Sequence, residues 1–258
     1  MNVALLVNQV GPDPTVNLAR IVAMVYQACD RGARLIVLPE AACTGLVNCD
    51  DPLYDLPQGQ PVPGPLTKAL GRLCLRCAVW LECGVLERED DRLYDTALLI
   101  ASDGQIHLKY RRIQPQWHGR TADPLVYGQG EQIPVTETPF GRIACLICGD
   151  LFDDSVVSRV NTIKPDWLLW PIARCFSDGS HDQMRWDRDE MPIIRERVAL
   201  AGCTTLMTNY LAGLEVNGGG FGGAEVIAGD GRRLEHYPLG TPGMLVVEMD
   251  DIRKLAVQ

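Results

Sequence analysis

Apolar runs of strand length recur along this chain and alternate with segments of helical spacing. Val3–Val7, Leu35–Leu38, Val79–Leu86, Ala97–Ile100, Ile143–Cys148 and Trp167–Trp170 are apolar throughout or nearly so. Such runs are expected of strands covered on both faces. Between them, Leu18, Ile21, Val22 and Val25 place a helix over Thr15 to about Arg31, stopped at Gly32. Further helices fit Gly64 to about Cys77, Ser155–Asn161 and Pro192–Ala201. Short strands fit Leu206–Thr208 and Glu225–Ile227, and Asp230-Gly231 is a hairpin turn signal. Mixed strands with interleaved helices imply a layered α/β fold.

With 258 residues, 47% hydrophobic and 22% charged, the chain can bury a substantial core. It has no Ser/Gly linker, charge block, low-complexity run or solenoid repeat, so one domain over 1–258 is expected. The formal net charge is −9 and the pI about 4.9. An acidic surface repels nucleic acid and anionic lipid, so neither is an expected partner, while the charge says nothing about what a small pocket binds. Met1-Asn2-Val3 lacks the cationic start of an export signal. No apolar stretch reaches 18 residues. A cytoplasmic protein without a membrane helix is expected.

Ten cysteines occur, most in apolar surroundings, where cysteine acts as a small hydrophobe. Without an export signal they read as reduced, and nine of them as mostly structural. Cys74–Cys77 and Cys145–Cys148 have CxxC spacing, but no third or fourth ligand stands at a suitable interval, and no metal or cofactor is expected. The glycine run Gly218–Gly223 lacks the Lys-Ser/Thr of a phosphate loop. None of the four histidines has a catalytic context.

Two segments carry candidate chemistry. Leu38-Pro39-Glu40 places a carboxylate at the end of a buried strand, where α/β proteins tend to build sites. Ile147-Cys148-Gly149-Asp150 places a thiol at the end of another. Taken singly, Glu40 is readable as a solvated loop residue and Cys148 as an inert core thiol.

Together with Tyr110-Arg111-Arg112-Ile113 between them, these segments resemble the nitrilase (carbon–nitrogen hydrolase) superfamily in order and approximate spacing. Asn8-Gln9, Asp95-Thr96-Ala97, Gly130, Pro139-Phe140-Gly141, Phe152 with Arg159, Pro165 to Pro171, and Asn209 with Phe221-Gly222-Gly223 resemble further landmarks over nearly the whole chain. The resemblance implies a four-layer αββα sandwich that commonly dimerises or forms larger homo-oligomers. It implies a Glu–Lys–Cys site that opens an amide or nitrile through a covalent cysteine intermediate. Carried over, Glu40 is the general base, Cys148 the nucleophile and the Gly149 N–H an oxyanion donor.

The departures are specific. The lysine position falls on Arg112, with Lys109 three residues earlier as the other cation, and the second glutamate position falls on Asp123. Gln114-Pro115 replaces the family's His-Leu, and Arg197-Val198-Ala199-Leu200-Ala201 stands where Arg-Ala-x-Glu-Asn is usual. Arginine keeps the charge but is a very poor proton donor. If it lowers the Cys148 pKa, that thiol labels faster than the other nine. Arg174 is a candidate for an anionic substrate group, or a structural arginine. Trp117 and Phe176 are candidates for lining the pocket, or for ordinary packing. The expected function is an amidase-like C–N hydrolase. The alternatives are a catalytically silent protein of this fold that binds a ligand or partner, and an acyl or amide transferase.

Overall fold

A computed structural model describes residues 1–114, 117–213 and 220–257. Pro115 and the Gly218-Gly219 part of the glycine run lie outside the described residues. The first half of the chain comprises β1 (Asn2–Val7), β2 (Gln9–Val10), α1 (Pro14–Asp30), β3 (Ala33–Val37), α2 (Pro52–Asp55), α3 (Pro65–Cys77), β4 (Trp80–Glu89), β5 (Arg92–Ile100) and β6 (Ile106–Arg111). The second comprises β7 (Val135–Thr138), β8 (Gly141–Cys145), α4 (Asp154–Ile163), β9 (Trp167–Ile172), α5 (Gln183–Arg185), α6 (Met191–Ala201), β10 (Thr204–Asn209), β11 (Leu211–Ala212), β12 (Ala224–Ile227), β13 (Arg233–Tyr237), β14 (Gly243–Glu248) and α7 (Met249–Val257).

One six-stranded sheet has the order β14-β1-β3-β4-β5-β6, and a second has β13-β12-β10-β9-β8-β7. Strand alternation explains the layering. Val3, Leu5 and Val7 of β1 point into the core shared with the second sheet, among Ile143, Trp170 and Leu206. Ala4 and Leu6 point the other way, onto Ile21 and Val25 of α1 and Leu70 of α3. On the far face of the second sheet, α4 and α6 bury Val156, Val160, Ile194 and Val198. The result is helix, sheet, sheet, helix, the αββα sandwich expected.

Several strands went unread in the sequence. β6, Ile-His-Leu-Lys-Tyr-Arg, is an edge strand with one charged face, and β13 is a polar edge strand. The nucleophile strand is also shorter than expected. β8 ends at Cys145, and Cys148 instead opens a 3-10 turn, Cys148–Phe152.

Candidate active site

Glu40 follows β3 in a turn laid against β4. The Leu38 N–H donates to the Glu82 backbone oxygen (3.2 Å) and to its carboxylate (3.1 Å), and the Cys43 N–H donates to the Gly84 carbonyl (3.1 Å). A Cβ at Gly84 would lie 2.3 Å from the Ala41 nitrogen, so only glycine lets the turn approach this closely. Ala41 has φ +47° and Cys148 has φ +43°. Both are left-handed positions that a side chain adopts at a cost of order 1 kcal/mol, and each borders or forms part of the site.

Arg112 leaves the end of β6 and turns inward. Its Nη1 donates to Glu40 Oε1 at 2.9 Å and lies 3.4 Å from Asp95 Oδ2. All three residues are buried. Cys148, partly buried, faces Glu40, Arg112 and the Ala173 N–H. The Trp170 indole N–H donates to the Cys148 carbonyl at 2.9 Å and fixes the turn. Asp150 joins the two sheets at this point. It accepts from Tyr110 Oη (2.6 Å), the N–H of Ile113 (3.0 Å) and Gln114 (2.6 Å) beyond β6, and the N–H of Ile147 (3.0 Å). The aspartate beside the cysteine therefore ties the segment bearing Arg112 to the turn bearing the thiol. Gly149 is buried next to Cys148, and the first bond of the 3-10 turn runs from the Asp150 N–H to the Ile147 carbonyl. The Cys148 and Gly149 N–H groups precede that bond.

Electrostatics follow from this geometry. Burial and the Glu40 carboxylate push the Cys148 thiol up to about 12, against the pull of Arg112 and the Ala173 N–H. Arg112 thus pulls the thiol down, as its charge implies, but burial beside a carboxylate outweighs the guanidinium. Burial and Glu40 also raise the Asp95 carboxyl well above the carboxylate range, with Arg112 opposing them. Arg112 remains charged, since its carboxylate neighbours outweigh its burial. Oε2 of Glu40, Oδ1 of Asp95 and Nε of Arg112 are buried without a partner among the described residues. Tyr210 is fully buried close enough to feel the Glu40 charge, and its hydroxyl also lacks a partner.

The structure thus brings together Glu40, Arg112 and Cys148, with Gly149 adjoining. Lys109 points to the opposite face of β6, where its Nζ meets Glu87 Oε1 at 2.8 Å. Asp123 does not join the cluster. It is exposed, and its carboxylate accepts the Leu125 N–H (2.9 Å) of its own turn. The second carboxylate at the site is Asp95, whose strand position gave no signal of a polar role. Arg174 pairs with Glu190 and lies 5.2 Å from the ring of Phe152, in the turn that carries Cys148. Phe176 is buried against Phe221 at 4.8 Å, as a core residue. Trp117 donates to the Gly128 carbonyl (2.9 Å) and packs beside Tyr127, a loop-packing role. A cavity of about 720 Å³ between α3 and the β5–β6 turn is lined by Leu75 and Ile106 among others, without Glu40, Arg112 or Cys148. Among the described residues, no three His, Cys, Asp or Glu side chains gather as metal ligands. None of their helices is long and apolar enough to cross a membrane.

Residues 3–256 match the family model described as carbon-nitrogen hydrolase. The chain belongs to the carbon–nitrogen hydrolase family. A nitrilase from Paraburkholderia phymatum is 31% identical over 160 residues, 56% of this chain and 46% of that protein. A deaminated glutathione amidase from Yersinia enterocolitica is 31% identical over 160 residues, covering 58% and 54%. An omega-amidase from Xenopus tropicalis is 26% identical over 176 residues, covering 66% and 62%. The chain spans about half the length of the curated relatives it matches. Among solved structures, an amidase from Nesterenkonia sp. superposes with a TM-score of 0.78 at 22% identity, over 96% of this chain and 89% of that one. A carbon–nitrogen hydrolase from Helicobacter pylori gives 0.81 at 16%, over 99% and 92%. They share this family member's fold. In one variant of the Nesterenkonia amidase, the acetamide moiety of fluoroacetamide is added covalently at the active-site cysteine.

Proposed function

We propose that this protein hydrolyses a non-peptide C–N bond of a small amide through a thioester on Cys148. The observation that carries this reading is the convergence of Glu40, Arg112 and Cys148, from three distant segments, on one buried polar cluster. A nucleophile, a base and a fixed cation together meet the needs of acyl transfer.

In this reading Glu40 takes the thiol proton as Sγ adds to the carbonyl carbon. The resulting oxyanion rests between Arg112 and the Gly149 N–H. Arginine gives up no proton under ordinary conditions, so Glu40 makes every proton transfer. It returns the proton to the leaving nitrogen, the C–N bond breaks, and a thioester remains. Water, deprotonated by Glu40, then releases the acid. The raised thiol pKa suits this sequence: the resting thiol keeps its proton until the carbonyl arrives. The relatives, among them a nitrilase, a deaminated glutathione amidase and an omega-amidase, support an amide or nitrile as the substrate class. We further propose that the protein is a homodimer, which sedimentation of the purified chain tests, and that it is cytoplasmic, which cell fractionation tests.

The test is ammonia release from a panel of small amides, carbamoyl amides and nitriles, comparing wild type with Cys148→Ala. Release that disappears in the variant is expected. No release from any compound by folded wild type overturns the reading in favour of a catalytically silent ligand-binding protein. Product formation only with an amine acceptor assigns a transferase.

A further inference from the structure

Asp95 has no task in the reaction just described, yet it is 2% exposed inside the site. Its Oδ2 lies 3.4 Å from Arg112 Nη1, the same nitrogen that donates to Glu40 Oε1 at 2.9 Å. Both carboxyl groups therefore lie against one guanidinium nitrogen, and Asp95 feels the charge of Glu40. Each keeps one buried oxygen that no donor among the described residues satisfies, Oε2 on Glu40 and Oδ1 on Asp95. A proton on one of these acids would turn an acceptor oxygen into a donor for the other. Two ionised carboxylates against one guanidinium would also bury a net negative charge, which is costly in a low-dielectric interior.

We propose that Glu40 and Asp95 hold one proton between them in the resting enzyme, carried on the Asp95 side. Arg112 stands nearer Glu40, so the ionised form is favoured there and the proton at Asp95. Asp95 is then a positioning residue whose carboxyl proton is held toward Glu40, the base. The proposal rests on the hydrolase reading, and its charge balance supports it. At rest the cluster holds Arg112 positive, Glu40 negative, Asp95 neutral and the thiol neutral. After attack Glu40 is neutral and the oxyanion negative. After the C–N bond breaks, Glu40 is negative again and the thioester neutral. The sum is zero at every stage, so no step buries a new net charge.

The groups facing the pair are Arg112 from β6, Cys148 from the 3-10 turn, and the Tyr210 phenol, with Asp150 behind Arg112. Glu87, Lys109 and Arg111 lie with Thr96 on the opposite face of the β5–β6 ribbon. Burial and Glu40 both push the Asp95 carboxyl upward, in keeping with a proton held there.

The experiment is infrared difference spectroscopy at neutral pH on wild type, Asp95→Asn and Glu40→Gln. Asparagine is isosteric with the protonated acid and keeps an oxygen for Arg112. One protonated-carboxyl band should be present in wild type and missing from both variants, since a lone carboxyl beside Arg112 ionises. Glu82 and Glu225, also raised by burial, contribute equally to all three spectra and cancel. A band kept in both variants, or lost in neither difference, overturns the proposal. A band lost only in Asp95→Asn overturns the sharing, because Asp95 would then hold its proton without Glu40. In parallel, the alkaline limb of kcat/KM should move up by about one pH unit or more in Asp95→Asn, because the pair can no longer lose its proton. An unmoved limb contradicts the proposal. If no amide is turned over, the infrared result still decides the proton's place, so failure of the hydrolase reading is told apart from failure of this one.

Discussion

Arg111 and Arg112 are consecutive, and each meets two carboxylates, but on opposite faces of one sheet. Arg111 Nη2 lies 2.7 Å from Glu87 and 2.9 Å from Glu89. Glu87 also accepts from Lys109 (2.8 Å) and Thr96 (2.7 Å), so it binds β4, β5 and β6 together. Burial alone would raise the Glu87 carboxyl, but these donors hold it below its ordinary value. Arg112 serves Glu40 and Asp95 with a single nitrogen, leaves its own Nε unpaired, and leaves an oxygen orphaned on each acid. The outer cluster is saturated and fastens strands. The inner one withholds hydrogen-bonding capacity inside the protein, and the outlay is recovered only when a substrate or an extra proton completes it. Similar residue types thus make a staple on one face and a reactive site on the other, decided by how many donors each carboxylate finds.

The largest effect expected from this difference is at the two arginines. Arg112→Ala strips the paired cation from two buried acids and should destabilise by about 3–5 kcal/mol, with activity lost. Arg111→Ala leaves Glu87 with Lys109 and Thr96 and should cost about 1–2 kcal/mol, with activity kept within a few-fold. Urea melts and ammonia release on both variants check this, and equal losses would erase the distinction. Next, Gly84→Ala drives a Cβ into the Ala41 nitrogen and displaces Glu40. A loss of about 1–3 kcal/mol is expected, with a fall in kcat larger than that in any outer-cluster variant.

How far this contrast was legible in the sequence depends on the residue. Glu40 and Cys148 were candidates because each follows an apolar strand, but taken singly each was readable as a solvated loop carboxylate or an inert core thiol, and only their joint order singled them out. Arg112 was legible only through family order, and its inward direction rests on β6, whose alternation sends Tyr110 inward and Lys109 outward. Asp123 had the right interval from Gly130, but interval says nothing of burial, and it lies on an exposed turn. Asp95 was legible as part of the landmark Asp95-Thr96-Ala97, but nothing in that strand marked it as a site residue. Its role arises from a partner 55 positions away in sequence, Glu40, brought near by the pairing of β3, β4 and β5. The net direction of the thiol's pKa was not legible for the same reason: charge sign was readable and burial was not.

Smaller effects sharpen the comparison. Because the Cys148 thiol is pushed up to about 12, its thiolate is scarce at neutral pH. Alkylation of Cys148 by iodoacetamide, followed by peptide mass spectrometry, should rise about tenfold for each pH unit from 7 to 9. A rate already at its plateau by pH 7 would mean that Arg112 dominates the thiol after all. The smallest effect belongs to Lys109→Ala. Lys109 serves only the outer staple, so its loss should shift stability by less than about 1 kcal/mol and leave turnover within about twofold. Collapse of turnover would place Lys109, rather than Arg112, in the reaction.

Rapid-quench mass spectrometry of the enzyme turning over its best amide tests the cysteine mechanism most directly. The site predicts a mass increase equal to the acyl group, located on the peptide that contains Cys148 and absent from Cys148→Ala. Ammonia released with no acyl adduct accumulating or trappable, or an adduct on any of the other nine cysteines, would contradict it.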